Sequence, residues 1–185
     1  EIVITNSMVP RKLSESNYNL RRSECEQALE ILQLHYPDIQ LFELTVDQVE
    51  SCSELLEYKV LRRRARHVAS ENARVHESAI ALKRGQLTKF GSLMNASHIS
   101  LRDDFEVSCK ELDILVETAQ VISGVLGSRM TGAGFGGCTV SIVTRNTVPV
   151  FIEKLTTAYF VATGYEAKIL CCSTGDGVKR LNWET

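Results

Sequence analysis

At 185 residues the chain is long enough for one domain with a real hydrophobic core. A net charge of −2 excludes a strong electrostatic pull toward nucleic acid or acidic membranes, and no apolar run is long enough to cross a bilayer. The six cysteines (Cys25, Cys52, Cys109, Cys138, Cys171 and Cys172) lack paired C-x-x-C spacing, which argues against zinc ribbons and redox motifs and fits buried thiols in a reducing cytoplasm.

Ile2 to Thr5 reads as a short buried strand that ends in the polar pair Asn6-Ser7. The chain opens inside this run without an initiator methionine, so a longer parent protein is expected. After a basic loop, Tyr18, Cys25, Ala28, Leu29 and Leu32 mark one side of a helix, with Pro37 beyond its end. Tyr18 falls in the first turn, where an aromatic ring with a polar hydroxyl commonly just covers a core edge. Thr45-Val46-Asp47-Gln48 has the form of a capping box. A long helix is expected from Glu54 to Lys83, stopped by Gly85. Its cluster Arg62, Arg63, Arg64 and Arg66 is short and lacks interleaved aromatics, so a solvated or salt-bridged face is expected rather than a nucleic-acid site. His67 and His76 are nine apart, a poor metal spacing on one helix, and read as structural.

Gln86 to Leu101 reads as a second helix leading into Arg102-Asp103-Asp104. Adjacent carboxylates at a helix end point in different directions, so local pairing and capping explain Asp103 and Asp104 better than acid/base or metal chemistry. Ser108 with Glu111 makes a further capping box, opening a helix that stops before Gly124. Strands are expected at Val125–Thr131, Cys138–Val143 and Ala167–Cys172, and a helix from Pro149 to Gly164 between the last two. This order predicts an α+β fold, an antiparallel sheet of about four strands with helices on one face and long helices inserted early.

Four glycines, Gly132, Gly134, Gly136 and Gly137, fall within six residues between the second and third strands. Such spacing allows positive φ, close approach of the backbone, and a nest of N–H groups suited to phosphate or carboxylate. On spacing alone a tight hairpin or bulge is the commoner explanation, and both readings stand. The stretch lacks the Lys-Ser/Thr ending of a Walker loop, and it runs into a strand where a Rossmann fingerprint would open a helix.

M-T-G-A-G-F-G-G-C-T-V (Met130 to Val140) resembles the third signature motif of the galactokinases, in the GHMP family of small-molecule kinases. The segments V-I-T-N-S…S-N-Y-N-L-R-R-S-E-C-E (Val3 to Glu26) and S-H-I-S-L-R-D-D-F-E-V-S-C-K-E-L-D (Ser97 to Asp113) resemble galactokinase segments in the same order. Ala133 departs from the usual motif, which carries a glycine there, and implies a position that need not hold positive φ.

The resemblance implies a ferredoxin-like GHMP C-terminal domain over residues 1–185, with an N-terminal ATP-binding domain absent from the chain. The complete protein would transfer the γ-phosphoryl group of ATP to the anomeric hydroxyl of galactose, in the cytoplasm. The phosphate loop, acidic Mg²⁺ ligands and base aspartate of such enzymes lie upstream, so no catalytic or metal residue is expected here and the chain alone is expected to be inactive. Tyr18 would hydrogen-bond the sugar, and Gly132, Gly134, Gly136 and Gly137 would pack beside the phosphate loop. Arg129, Thr131, Asp103 and Asp104 would support that turn. Implied partners are galactose, ATP and the chain's own N-terminal domain, with no nucleic acid or membrane. An N-acetylgalactosamine kinase and a non-catalytic galactokinase-like sugar sensor are the alternatives.

Overall fold

In the computed structural model, which describes residues 1–10, 14–175 and 177, the first strand β1 (Ile2–Asn6) lies inside the sheet. It pairs antiparallel with β3 (Cys138–Val143) on one side and β4 (Lys168–Cys172) on the other. β2 (Val125–Thr131) pairs antiparallel with β3, giving the order β2-β3-β1-β4. Two helices pack against one face: α5 (Lys110–Gln120) precedes β2, and α6 (Val148–Thr163) joins β3 to β4. Strand, helix, strand, strand, helix, strand in this order is the ferredoxin-like arrangement. Helices α1 (Ser14–Leu32), α2 (Val46–Ser51), α3 (Lys59–Lys83) and α4 (Leu87–Asp103) are inserted between β1 and α5.

The alternation in β3 separates two faces, but the small polar side is the inner one. Thr139 and Ser141 are fully buried, as are Val3 and Thr5 of β1 and Ser128 and Met130 of β2. Ser128 and Ser141 satisfy each other through their hydroxyls at 2.8 Å, and their small volume lets α5 and α6 come close. Leu115, Val143, Phe151, Leu155 and Tyr159 complete this core. The more apolar face, with Val140 and Ile142, is only half-buried. It looks onto a groove of about 630 Å³ walled by α3 and α4.

Helix α4 covers the free edge of β2. The outward N–H groups of Ser128 and Met130 donate to Asn95 Oδ1 (2.8 Å) and His98 Nδ1 (3.2 Å), so that edge offers no template for a further strand. Gly91 of α4 rides directly over the backbone of Leu126 and Gly127. A second core, including Ala28, Leu32, Leu44, Leu56 and Ala65, unites α1, α2 and α3.

The capping box at Thr45 forms as expected, with Thr45 Oγ1 accepting from the Gln48 amide. The long helix starts later than Glu54, because Leu55 and Leu56 turn back onto the carbonyl of Cys52 and Leu56 enters the core first. The capping box at Ser108 does not form. Cys109 is the N-cap residue, and Ser108 donates its hydroxyl to the Asp113 side chain. Gly164 ends α6 in the left-handed conformation (φ 75°), and Gly85 follows α3 in the same one (φ 66°).

Candidate functional site

All four glycines of the turn between β2 and β3 take positive φ: 83° at Gly132, 84° at Gly134, 117° at Gly136 and 86° at Gly137. Ala133 is not among the positive-φ residues, so alanine fits there without strain. Phe135 does hold φ 56°, a conformation that costs a side-chain-bearing residue about 1–2 kcal/mol. What offsets it is its N–H donating to Val107 O at 2.8 Å, and its ring packing with Leu101, Val107, Leu112 and Met130.

Both flanks of the turn are pinned. On one side an added Cβ at Gly134 would sit 2.1 Å from Val107 O, so only glycine permits that approach. On the other, the Ser7 amide donates to Gly137 O at 2.8 Å. Ser7 is itself held from α6, whose buried Tyr159 hydroxyl donates to Ser7 O at 2.8 Å. Burial pushes the Tyr159 phenol up to about 12, so it remains a donor across the working pH range.

Tyr18 lies on α1 and is 54% exposed. One helical turn on, Arg21 donates through Nε to Phe105 O (2.7 Å) and through Nη2 to Glu106 O (3.2 Å). The next residue, Val107, carries the carbonyl that seats the glycine turn. Tyr18 and the glycine turn are therefore linked through the short connection between α4 and α5.

Asp103 and Asp104 do not act as a carboxylate pair. Asp103 is gripped by Arg102, whose hydrogen bond holds its carboxyl below the usual range. Asp104 accepts from Ser100 Oγ at 3.0 Å. With that hydroxyl proton spent, His67 Nδ1–H donates to Ser100 Oγ at 2.9 Å, and its ring stacks on Phe105 at 4.4 Å. Arg129 and Thr131 line the groove on the opposite sheet face, where Arg129 Nη1 is 3.7 Å from Glu71 Oε2. Among the described residues no group of three His, Cys, Asp or Glu side chains is placed to hold a metal ion.

His67 yields a pH test. Burial lowers its pKa from 6.5 to about 4, so between those values the folded protein binds fewer protons than the unfolded chain. Its contribution is complete above pH 6.5 and is lost as pH falls toward 4. We expect about 2 kcal/mol less stability at pH 5 than at pH 7 from this group. Denaturant titrations of wild type and His67→Gln at both pH values check it. Equal pH slopes in the two proteins would rule out His67 as the source.

Sequence reasoning missed Arg64, Glu106 and Tyr159 as parts of the site's support. The Arg run was expected to be solvated or salt-bridged, and Arg62 and Arg63 do pair with Glu50 and Glu106. Arg64 is salt-bridged too, to Glu24 and Glu106, but it is buried at 1% exposure rather than set on a solvated face. Helical spacing carried a weak signal, since Arg64 falls beside Leu61 and Ala65 on the inner side of α3.

Residues 78–162 match the protein family described as GHMP kinases C terminal. A galactokinase of Roseiflexus sp. (strain RS-1) is 49% identical over 97% of this chain, and one of Clostridium acetobutylicum 48% identical over 98%. Residues 78–162 thus carry a GHMP kinase C-terminal domain. The chain spans about half the length of these galactokinases, 46% of the first and 47% of the second. The crystal structure of Lactococcus lactis galactokinase complexed with galactose superposes with a TM-score of 0.88 at 46% identity, covering 92% of this chain and 44% of that one. The crystal structure of L. major mevalonate kinase in complex with R-mevalonate shares the fold, with a TM-score of 0.55 at 19% identity over 94% of this chain and 43% of that one.

Proposed function

We propose that this chain is the C-terminal domain of a galactokinase, whose ATP-binding half lies upstream and which works in the cytoplasm. The carrying observation is the similarity, at 46% identity and a TM-score of 0.88, to a galactokinase captured with galactose. The reaction moves the γ-phosphoryl group of ATP onto the anomeric hydroxyl, and ATP with Mg²⁺ supplies the transferable group. Such chemistry needs aligned reactants more than covalent help from the protein, so walls that hold a sugar and a phosphate chain in register do most of what this half can do.

Each wall has its own task. Tyr18, exposed on α1, offers a hydroxyl to the sugar. The glycine turn offers a backbone without Cβ atoms at four positions, which fits the close approach of a phosphate-bearing loop. Its Phe135 amide is committed to Val107 O, so any phosphate contact falls to the neighbouring glycine amides. Asp103, Asp104, Arg129 and Thr131 brace the elements around the turn. The six cysteines are unpaired, which suits a reducing compartment.

ADP release by the full-length protein in the presence of galactose is the deciding assay. Release that requires galactose is expected. Preference for N-acetylgalactosamine would move the enzyme to that substrate, and tight galactose binding without ADP release would make it a sensor. In the same protein, Tyr18→Phe should raise the KM for galactose about tenfold, as for one lost hydrogen bond to a substrate hydroxyl. An unchanged KM would take Tyr18 out of the sugar site.

A further inference from the structure

The connection between α4 and α5 turns on Glu106, a non-glycine residue at φ 55°. Its carboxylate takes Arg64 Nη2 at 2.6 Å and Arg63 Nη1 at 2.9 Å, and the hydrogen bond from Arg64 leads in holding its pKa below the ordinary range. Arg64 also donates Nε to Glu24 Oε2 at 2.6 Å and Nη1 to the carbonyl of Asp104. Glu24 in turn accepts Arg21 Nη1 at 3.0 Å, and Arg21 reaches back to the carbonyls of Phe105 and Glu106. Two guanidinium groups, Arg21 and Arg64, and two carboxylates thus close a ring that joins α1, α3 and the connection, with Arg63 attached to it at Glu106. At its centre is an arginine that is 1% exposed.

Buried ion pairs are a poor route to stability alone, because an apolar side chain of similar volume often packs there as well. What this ring supplies instead is position. It runs from the turn of α1 just after Tyr18, through Arg64, to the residue before Val107, whose carbonyl holds Phe135 and abuts Gly134.

We propose that Arg64, with Glu24 and Glu106, is a positioning residue that sets the separation between the Tyr18 helix and the glycine turn. The kinetic part of this proposal rests on the galactokinase reading.

The test uses the full-length protein carrying Glu106→Gln, a change at a partly exposed residue that keeps the shape and removes the charge. Its KM for galactose should rise about fivefold or more while kcat falls less than about twofold. In a Tyr18→Phe background the same substitution should cost less than about twofold further, because the sugar contact it would misplace is already gone. A change that merely lowered the folded fraction would reduce kcat at constant KM and multiply with Tyr18→Phe, and either result would overturn the proposal. Glu24→Gln, on the α1 side of Arg64, should behave in the same way and serves if Glu106→Gln does not fold.

Hydrogen exchange gives a readout without substrate, in which the Phe135 amide should lose about tenfold or more of its protection in either variant. Unchanged protection sinks the clamp. Lost protection in a protein whose wild type shows no galactose-dependent ADP release would leave the clamp standing and remove only the galactokinase reading.

Discussion

Gly134→Ala in the full-length protein is expected to lower kcat/KM for galactose phosphorylation by about a hundredfold, or ~2.7 kcal/mol of transition-state stabilisation. Two effects combine there. Alanine at φ 84° costs about 1–2 kcal/mol in backbone strain. Its methyl carbon would also stand 2.1 Å from the Val107 carbonyl oxygen, far inside van der Waals contact. The turn must therefore lift away from Val107 and give up the Phe135 amide bond, and the face proposed to meet the phosphate loop moves with it. Gly164→Ala is the matched control. That residue has φ 75° with no other heavy atom within 4 Å of the added carbon, so it carries the strain without the collision. Its expected cost is about 1 kcal/mol of stability with little change in kcat/KM. Near-normal turnover in Gly134→Ala would show that the turn does not shape the cleft.

The largest stability loss is expected at a different glycine. Gly91→Ala should destabilise the fold by about 4 kcal/mol, although alanine is the better helix former by about 1 kcal/mol at an open position. The sign reverses because the new methyl carbon would lie 1.9 Å from Leu126 O and 2.3 Å from its carbonyl carbon. Helix α4 would have to move off β2, stretching the bonds from Ser128 to Asn95 and from Met130 to His98. Each buried amide left without its acceptor costs about 1–3 kcal/mol. His98 is already exacting, with Nδ1 committed to Met130 and Nε2 3.2 Å from Asp113 but off a hydrogen-bond line. Gly127→Ala, whose added carbon would stand 2.3 Å from Gly91 O, should give a similar loss. Denaturant midpoints measure both, and a loss under about 1 kcal/mol in either variant would mean that α4 and β2 are not in this contact.

Much of this architecture was legible in the chain because it is local. Period-3.6 runs marked α1, α4, α5 and α6, alternation marked β3, and Gly85 and Gly164 marked stops where only a left-handed residue serves. The beginning of α3 was not legible. Leu55 and Tyr58 continue a helical spacing, and only packing of Leu56 in the second core breaks it. The Ser108 capping box failed because the helix starts one residue later, with Cys109 as its N-cap, which leaves Ser108 outside the cap position with its hydroxyl donated to Asp113.

For the candidate site, the sequence by itself determined the glycine turn, its freedom to take positive φ, and the exposed tyrosine on the first helix, whose contact with a sugar is the proposal made above. It also carried the likeness to galactokinases, through three ordered segments. Only the tertiary structure decided that Val107 is the surface against which Gly134 must be bare, that Thr139 and Ser141 are the buried side of β3, and that Arg64 carries its ion pairs with Glu24 and Glu106 into the interior. Those outcomes rest on contacts between residues well separated in the chain, from 13 positions for Ser128 with Ser141 to 42 for Arg64 with Glu106. Local propensity cannot see such distances, because a side chain's burial is set by what the rest of the chain brings to it.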